Sequence, residues 1–333
     1  VKVFVSGVAG FIGSQLARHA ITEGWTVTGI DSMLSGDEAN VPAEARWMRS
    51  TCQAVTHYRQ FLRDADVVVH CAAAPYEGLS VFSPQLVYEH TLMSTVALVR
   101  ASIAAGVKRF VFCSSMSRYG AQGVPFREEM DTAPVDPYGC AKVAAEEAVK
   151  TICRLHGLEW VIVVPHNVYG PGQKYWDPYR NVAAIMINRV LSGKPPIIYG
   201  DGYQRRCLSY IGDVVPALAQ ACTSRYAHGE VFNLGPSGDG ETITDLATLI
   251  LDVTGSDLEP QYMPPRPAEV HFATCDCSKS AAMLGYEPTW DLRDGLEKLA
   301  AWIGERGPRP FTYHLPIELP TDQTPRTWTE RLM

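Results

Sequence analysis

Apolar residues recur along this chain in two rhythms, and the two alternate. Short β-branched runs at Val1–Val5, Trp25–Ile30, Val67–Val69, Phe110–Cys113 and Trp160–Val164 read as buried strands. Between them lie stretches with an apolar stripe at helical spacing. One begins at Phe11, Ile12, Leu16 and Ala17; another runs from Ser83 to Ala105 and carries Leu86, Leu92, Val96 and Val99; a third, Tyr138–His156, is strongly amphipathic. Gly106 and Gly157 close the last two. The polar, Pro-containing segment after residue 31 and the stretch to Arg63 carry no clear period. Beyond residue 168 the rhythm becomes irregular. Helices are predicted at Val182–Leu191, Asp213–Cys222, Thr242–Thr254 with Thr242 as N-cap, Ser278–Leu284 and Asp291–Gly304, and strands at Ile197–Tyr199 and Val231–Leu234.

Strands alternating with helices predict an α/β protein, a doubly wound parallel sheet with helices on both faces. The expected division is 1–168 for the sheet domain, 169–306 for a smaller α/β domain with some segments returning to the sheet, and 307–333 for a Pro-rich strap lying extended on a surface.

Composition narrows the class. With 46% hydrophobic and 20% charged residues the chain is an ordinary globular protein, and its net charge of −7 argues against a nucleic-acid partner. No apolar run reaches membrane-spanning length and the first residues already read as strand, so neither membrane span nor signal peptide is expected and the cytoplasm is the expected compartment. The nine cysteines lie mostly within apolar runs, as reduced, packed thiols do. His271 with Cys275 and Cys277 lacks the second ligand pair of a structural zinc site, so no metal is expected.

The first strand–helix junction carries the first chemistry. In Gly7-x-x-Gly10-x-x-Gly13, Gly7 allows a sharp exit from the strand, Gly10 leaves no Cβ in the path of a pyrophosphate, and Gly13 lets the helix approach the sheet. The helix N-terminus then offers free N–H groups to the phosphates. Asp31 ends the second strand about 20 residues on, where a carboxylate bonds a ribose 2′-OH and repels a 2′-phosphate, so NAD is expected over NADP in a Rossmann-type fold. Ala72–Pro75, Ser114, Ser115 and Pro165–Asn167 also fall at carboxyl ends of strands, where such sheets bind ligands. Tyr138 and Lys142 are one helical turn apart, beside those serines. A Lys⁺ about 5 Å away at an effective dielectric near 20 favours the phenolate by roughly 3 kcal/mol, about two pKa units. Such a phenolate can take a proton from a substrate hydroxyl as its hydride leaves.

These motifs, with Asn167-Val-Tyr-Gly-Pro171, Gly200-Asp-Gly-x-x-x-Arg206 and Arg266, resemble the extended short-chain dehydrogenase/reductases, in the NAD-dependent sugar-nucleotide epimerase/dehydratase family, over Val1 to about Trp302. The resemblance implies that Ser115 and Tyr138 contact the sugar O4 while Lys142 holds the nicotinamide ribose and tunes Tyr138. It gives Gly7, Gly10, Phe11, Ile12, Gly13, Asp31, Ala72, Ala73, Ser114, Tyr138, Lys142 and Pro165 as cofactor contacts. It also implies that Asn167, Arg206 and Arg266 bond the diphosphate, that Tyr199 packs on the uracil, and that Ser117 lies at the sugar. Two subunits are expected to pair the helices at 84–105 and 138–156 into a four-helix bundle. The chain departs from the family pattern at His90-Thr91, where an Asn is frequent, at Cys207-Leu208 after Arg206, and at Pro165-His166 before Asn167.

By the same resemblance a 4,6-dehydratase carries an Asp-Glu pair where this chain has Met116 and Ser117, and a glucuronate decarboxylase a Glu at 117. Met cannot transfer a proton, and no acid for eliminating the C6 hydroxyl is expected in the cleft. The expected reaction is therefore 4-epimerisation of a nucleoside-diphosphate sugar, with UDP-glucose/UDP-galactose as default. Lys174 and Arg180, just past the Asn167 motif, could instead meet a C6 carboxylate and make UDP-glucuronate the substrate; as solvated loop charges they would not. A net ketoreductase and a nucleotide-binding protein without turnover stay as alternatives.

Overall fold

In a computed structural model describing residues 1–333, seven parallel strands form the central sheet: β1 Lys2–Ser6, β2 Thr26–Asp31, β3 Arg46–Arg49, β4 Val67–His70, β5 Arg109–Cys113, β6 Glu159–Pro165 and β7 Val231–Leu234. Their order is β7-β6-β5-β4-β1-β2-β3, so the chain starts in the middle, winds to one edge, returns, and winds to the other. The reversal lies between β1 and β4, whose register pairs Ser6 with His70. A crevice opens there at the carboxyl ends.

Both faces of the sheet are covered, which is why the strands are apolar at consecutive positions rather than alternating. Val3, Val5, Val69, Val111 and Val163 point to one face, where they meet Leu16 and Ala17 of helix Phe11–Thr22 and Val214 and Leu218 of helix Ile211–Thr223. Phe4, Val68, Phe110, Phe112 and Ile162 point to the other, against Tyr58, Leu98, Val99, Ala145 and Val149. These come from the helices Val55–Arg63, Ser94–Ala105 and Pro137–His156. A separate core fills the smaller region, where the helices Val182–Leu191, Ile243–Val253 and Leu292–Arg306 pack through Ile187, Leu246 and Leu299.

Gly106 and Gly157 adopt left-handed C-cap conformations, φ 77° and 69°. Three elements differ from expectation. Residues 32–63, which carry no clear period, hold β3 and the helix Val55–Arg63; β3 is a short edge strand flanked by polar loops, so it leaves little alternation to detect. The helix expected at 83–105 is interrupted: Pro84–Tyr88 runs through a π turn at Glu89–Met93 into Ser94–Ala105. A π turn inserts one residue into the helical repeat, which no apolar period records, and such turns favour functional sites. The strap is not simply laid on a surface. It buries Leu315 and Trp328 and forms a helical turn at Arg326–Thr329. No helix is long and apolar enough to cross a membrane.

Candidate active site

A cavity runs along the carboxyl ends of the strands and into the cleft between the sheet and the smaller region. At its first end is the glycine loop. Gly7 has φ +79°, and a Cβ there would come within 2.8 Å of the Ala72 backbone nitrogen. Gly10 is the N-cap of helix Phe11–Thr22 and offers no side-chain cap, so the helix's first N–H groups remain for an anion. Asp31 accepts from the Ala9 and Met33 backbone nitrogens at 3.0 and 2.8 Å and lines the cavity. Burial raises its pKa although those amides pull it down. A cradle without Cβ atoms, an uncapped helix end and a carboxylate beyond it fit a dinucleotide with a free 2′-OH. Phe11, Ile12, Gly13, Ala72, Ala73 and Pro165 also line the cavity.

The candidate reacting groups come from the end of β5 and from the helix Pro137–His156. Asp136 caps that helix by accepting from the Gly139 nitrogen at 2.9 Å, and Pro137 takes the first helical position. This cap aims Tyr138 into the cavity and sets Lys142 one turn deeper. The Lys142 ammonium donates to the Cys113 carbonyl at 2.7 Å and lies 5.8 Å from the Tyr138 ring centroid. Burial pushes its pKa down to about 8.

The phenol behaves differently from the sequence expectation. Burial raises the Tyr138 pKa; the Ser115 hydroxyl and Arg180 work to lower it, while the charges of Glu77 and Asp136 raise it further. Lys142 donates to the Cys113 carbonyl, and burial outweighs the groups that act to lower the phenol. The cleft also carries two carboxyl groups that the sequence reading does not place there. Glu77 and Asp136 both line it, and Asp136 keeps one buried oxygen without a partner while its pKa rises to about 7 through burial and the nearby Glu77.

The two serines after β5 divide. Ser114 donates to Glu146, which pairs with buried Arg118 at 3.2 Å, so this hydroxyl ties the strand to the helix although the residue lines the cavity. Ser115 keeps its hydroxyl at the cavity and donates to Ser117 Oγ at 3.2 Å. Ser117 itself lies in the 3₁₀ turn Met116–Arg118, buried behind Ser115 and off the cavity wall, so it supports Ser115 and is not placed to touch a sugar.

At the far end Asn167, Tyr199, Arg206 and Arg266 converge. Asn167 adopts φ 40° and donates to the Cys207 carbonyl at 3.0 Å. Arg266 pairs with Glu269 at 3.0 Å, and its guanidinium lies 4.7 Å from the Tyr199 ring centroid; Arg206 approaches the same carboxylate at 3.8 Å. Burial acts to raise the Glu269 pKa, but the two arginines outweigh it and hold the carboxyl below its usual range. Two cations sharing one carboxylate leave a net positive site suited to a diphosphate.

Arg180 lines the cavity, 3.9 Å from Asp177 and 5.4 Å from the Tyr76 ring centroid. Lys174 does not line it, so the two do not form the paired carboxylate site the sequence allowed. Burial lowers the Lys174 pKa and Arg180 adds to this, while Asp177, Asp37 and Asp31 act against it. His166 is taken into the core, 3.2 Å from Asn233 Oδ1, so that departure from the family pattern leaves the wall unchanged. His90 does line the cavity, at the π turn.

Sequence reasoning missed Glu77, Asp136, Glu269 and Met333 among the lining residues. Only Asp136 had a signal, as an Asp directly before an N1 proline.

Comparison with known proteins agrees with this geometry. Residues 3–235 match the model of the NAD dependent epimerase/dehydratase family. A UDP-glucose 4-epimerase of Mycolicibacterium smegmatis is 31% identical over 90% of this chain and 97% of its own. Among solved structures, UDP-glucose 4-epimerase of Thermotoga maritima with UDP-glucose superposes with a TM-score of 0.87 at 32% identity, covering 92% of this chain and 99% of that one. UDP-glucuronic acid 4-epimerase of Bacillus cereus, in complex with UDP-glucuronic acid and NAD, gives 0.86 at 28% identity, covering 92% and 100%. The chain belongs to the NAD-dependent epimerase/dehydratase family.

Proposed function

We propose that the protein is an NAD-dependent 4-epimerase of a UDP-hexose, interconverting UDP-glucose and UDP-galactose. The observation that carries this is the placement of Ser115, Tyr138 and Lys142 at the junction of a dinucleotide cradle and a site with two arginines. NAD held by the glycine loop and Asp31 would supply a reversible hydride acceptor for C4. Tyr138, with Ser115 beside it, takes the O4 proton during oxidation and gives it back during reduction. Arg206 and Arg266 hold the diphosphate and Tyr199 the base, so the sugar can turn while the nucleotide stays anchored. The residues after Ser115 support epimerisation over dehydration, because Met116 at the wall carries no proton and Ser117 faces inward.

A second reading has its own observation. Arg180 lines the cavity and acts on Tyr138, so a C6 carboxylate and hence UDP-glucuronate has a cation to meet. We favour the neutral hexose, because Asp177 already faces Arg180 and Glu77 and Asp136 add negative charge to the same wall. Incubation with UDP-glucose, UDP-galactose and UDP-glucuronate separately, with products resolved by anion exchange, tests both. Interconversion of the hexoses is expected. Turnover of the uronate alone would move the substrate, and a 6-deoxy product would replace the epimerase with a dehydratase.

A further inference from the structure

We infer that the strap, residues 307–333, is the outer wall of the nucleotide site, and that Thr327 is a positioning residue that fixes the Tyr199 ring. The inference rests on Tyr199 carrying the base, as proposed above.

Tyr199 ends the short strand Ile197–Tyr199, and its hydroxyl lies 2.5 Å from Thr327 Oγ1. Thr327 is fully buried, so this bond is not shared with solvent. The strap around it is held from several directions. Tyr313 donates to the Thr327 carbonyl at 3.0 Å and accepts from the Met333 nitrogen at 3.0 Å. Arg189 and Lys194, from the substrate side of the cleft, donate to the carbonyls of Leu332 and Met333 at 3.0 and 2.9 Å. The Met333 side chain packs with Ile185 and Ile197 and lines the cavity beside Tyr199.

The same strap bonds the cofactor side. His314 Nε2 lies 3.0 Å from the carbonyl of Leu34, just past Asp31. Ser83 donates to the Pro316 carbonyl at 2.6 Å, and the Glu318 carboxylate accepts the free N–H groups of Gln85 and Leu86 at 2.9 Å each. Trp328, next to Thr327, packs 5.3 Å from Tyr179 and 6.1 Å from Phe82, in the apolar cluster that also contains Tyr138. A segment bonded to both lips of a cleft fixes their separation. A tyrosine ring held at its hydroxyl and flanked by Arg266 has one plane to offer a base. Ordering that ring before the ligand arrives removes a cost from binding.

Thr327→Val keeps the side-chain shape and deletes the hydroxyl; Thr327→Ser keeps the hydroxyl; Tyr199→Phe removes the other partner of the same bond. UDP affinity by calorimetry and steady-state kinetics with UDP-glucose are the readouts. Loss of one buried hydrogen bond predicts that Thr327→Val and Tyr199→Phe each weaken UDP and raise KM by about 3- to 10-fold, with the change falling on KM more than kcat. Thr327→Ser should restore the wild-type values, and the double variant Thr327→Val with Tyr199→Phe should be no weaker than either single one. Wild-type UDP affinity in Thr327→Val, or full additivity in the double variant, would overturn the inference. Tyr199→Ala separates the two layers. Unchanged UDP affinity there refutes Tyr199 as the base platform and the strap's role with it. A large loss there beside a neutral Thr327→Val refutes the strap's role alone.

Discussion

Replacing Tyr138 by phenylalanine deletes one oxygen and leaves a ring that packs with Ala74, Tyr76, Ala141 and Tyr179, so the fold has no reason to change. The chemical consequence is large. An ordinary phenol titrates near 10, and burial, Glu77 and Asp136 move this one higher, so fewer than about one in a thousand are ionised at neutral pH without help. Help has to come from positive charge brought close to the oxygen. One unit charge at about 5 Å contributes roughly 3 kcal/mol at an effective dielectric near 20, or two pKa units. A general base of this kind contributes about 10²- to 10⁴-fold to rate. The hydroxyl's share of ground-state binding is one hydrogen bond, about 0.5–1.5 kcal/mol or at most roughly tenfold in affinity. Tyr138→Phe should therefore lose at least about 10²-fold in kcat while UDP-glucose affinity, measured by calorimetry, moves far less. The assay is discontinuous separation of UDP-glucose from UDP-galactose. A variant keeping more than a tenth of the wild-type rate would refute the assignment of Tyr138 as base.

The other expectations follow from different parts of the molecule. Arg266→Ala should weaken UDP by about 10- to 100-fold in calorimetry, since it removes a charge-assisted contact and leaves Glu269 to Arg206 alone. His70 is buried between Ser6 and Thr95, and burial pushes its pKa from 6.5 down to about 3. Folding thus excludes a proton that the unfolded chain binds below pH 6.5, so this contribution is complete above that value and falls by about 1.4 kcal/mol per pH unit toward 3. Denaturant titrations of wild type and His70→Asn at pH 7 and 5 should show the wild type's advantage shrinking by about 2 kcal/mol; an unchanged difference would contradict it. The helices Ser94–Ala105 and Pro137–His156 are expected to form a homodimer, which sedimentation at micromolar concentration decides, a monomer refuting it.

The sheet was legible because its strands are apolar on both faces and its helices carry caps: Gly106, Gly157 and Thr242 each mark the end they were read to mark. The glycine loop and Asp31 were legible for a similar reason, since backbone approach restricts residue choice at fixed spacing. What escaped depends on contacts between distant parts of the chain. Glu77 reaches the wall because its loop packs under Trp328, some 250 residues away. Lys174 and Arg180 look equivalent in sequence, yet only the second turns toward Tyr138. Ser117, which the family resemblance put at the sugar, lies in a 3₁₀ turn that buries it, a local geometry that a motif position does not record. The strap reads as polar and Pro-rich, and its buried Leu315 stands too far from the adjacent pair Thr327 and Trp328 for the three to show a period.

In the proposed reaction, oxidation and reduction at C4 occur in one turnover on one bound nucleotide sugar. UDP-glucose carrying deuterium at C4, turned over by the enzyme in ordinary water, tests it directly when the UDP-galactose formed is examined by mass spectrometry while absorbance at 340 nm is followed. The label is expected to stay on C4 through inversion, because the transferred hydrogen never meets solvent, and absorbance is expected to show no growth proportional to product. Loss of the label to water, or absorbance rising in step with sugar consumed, would contradict it.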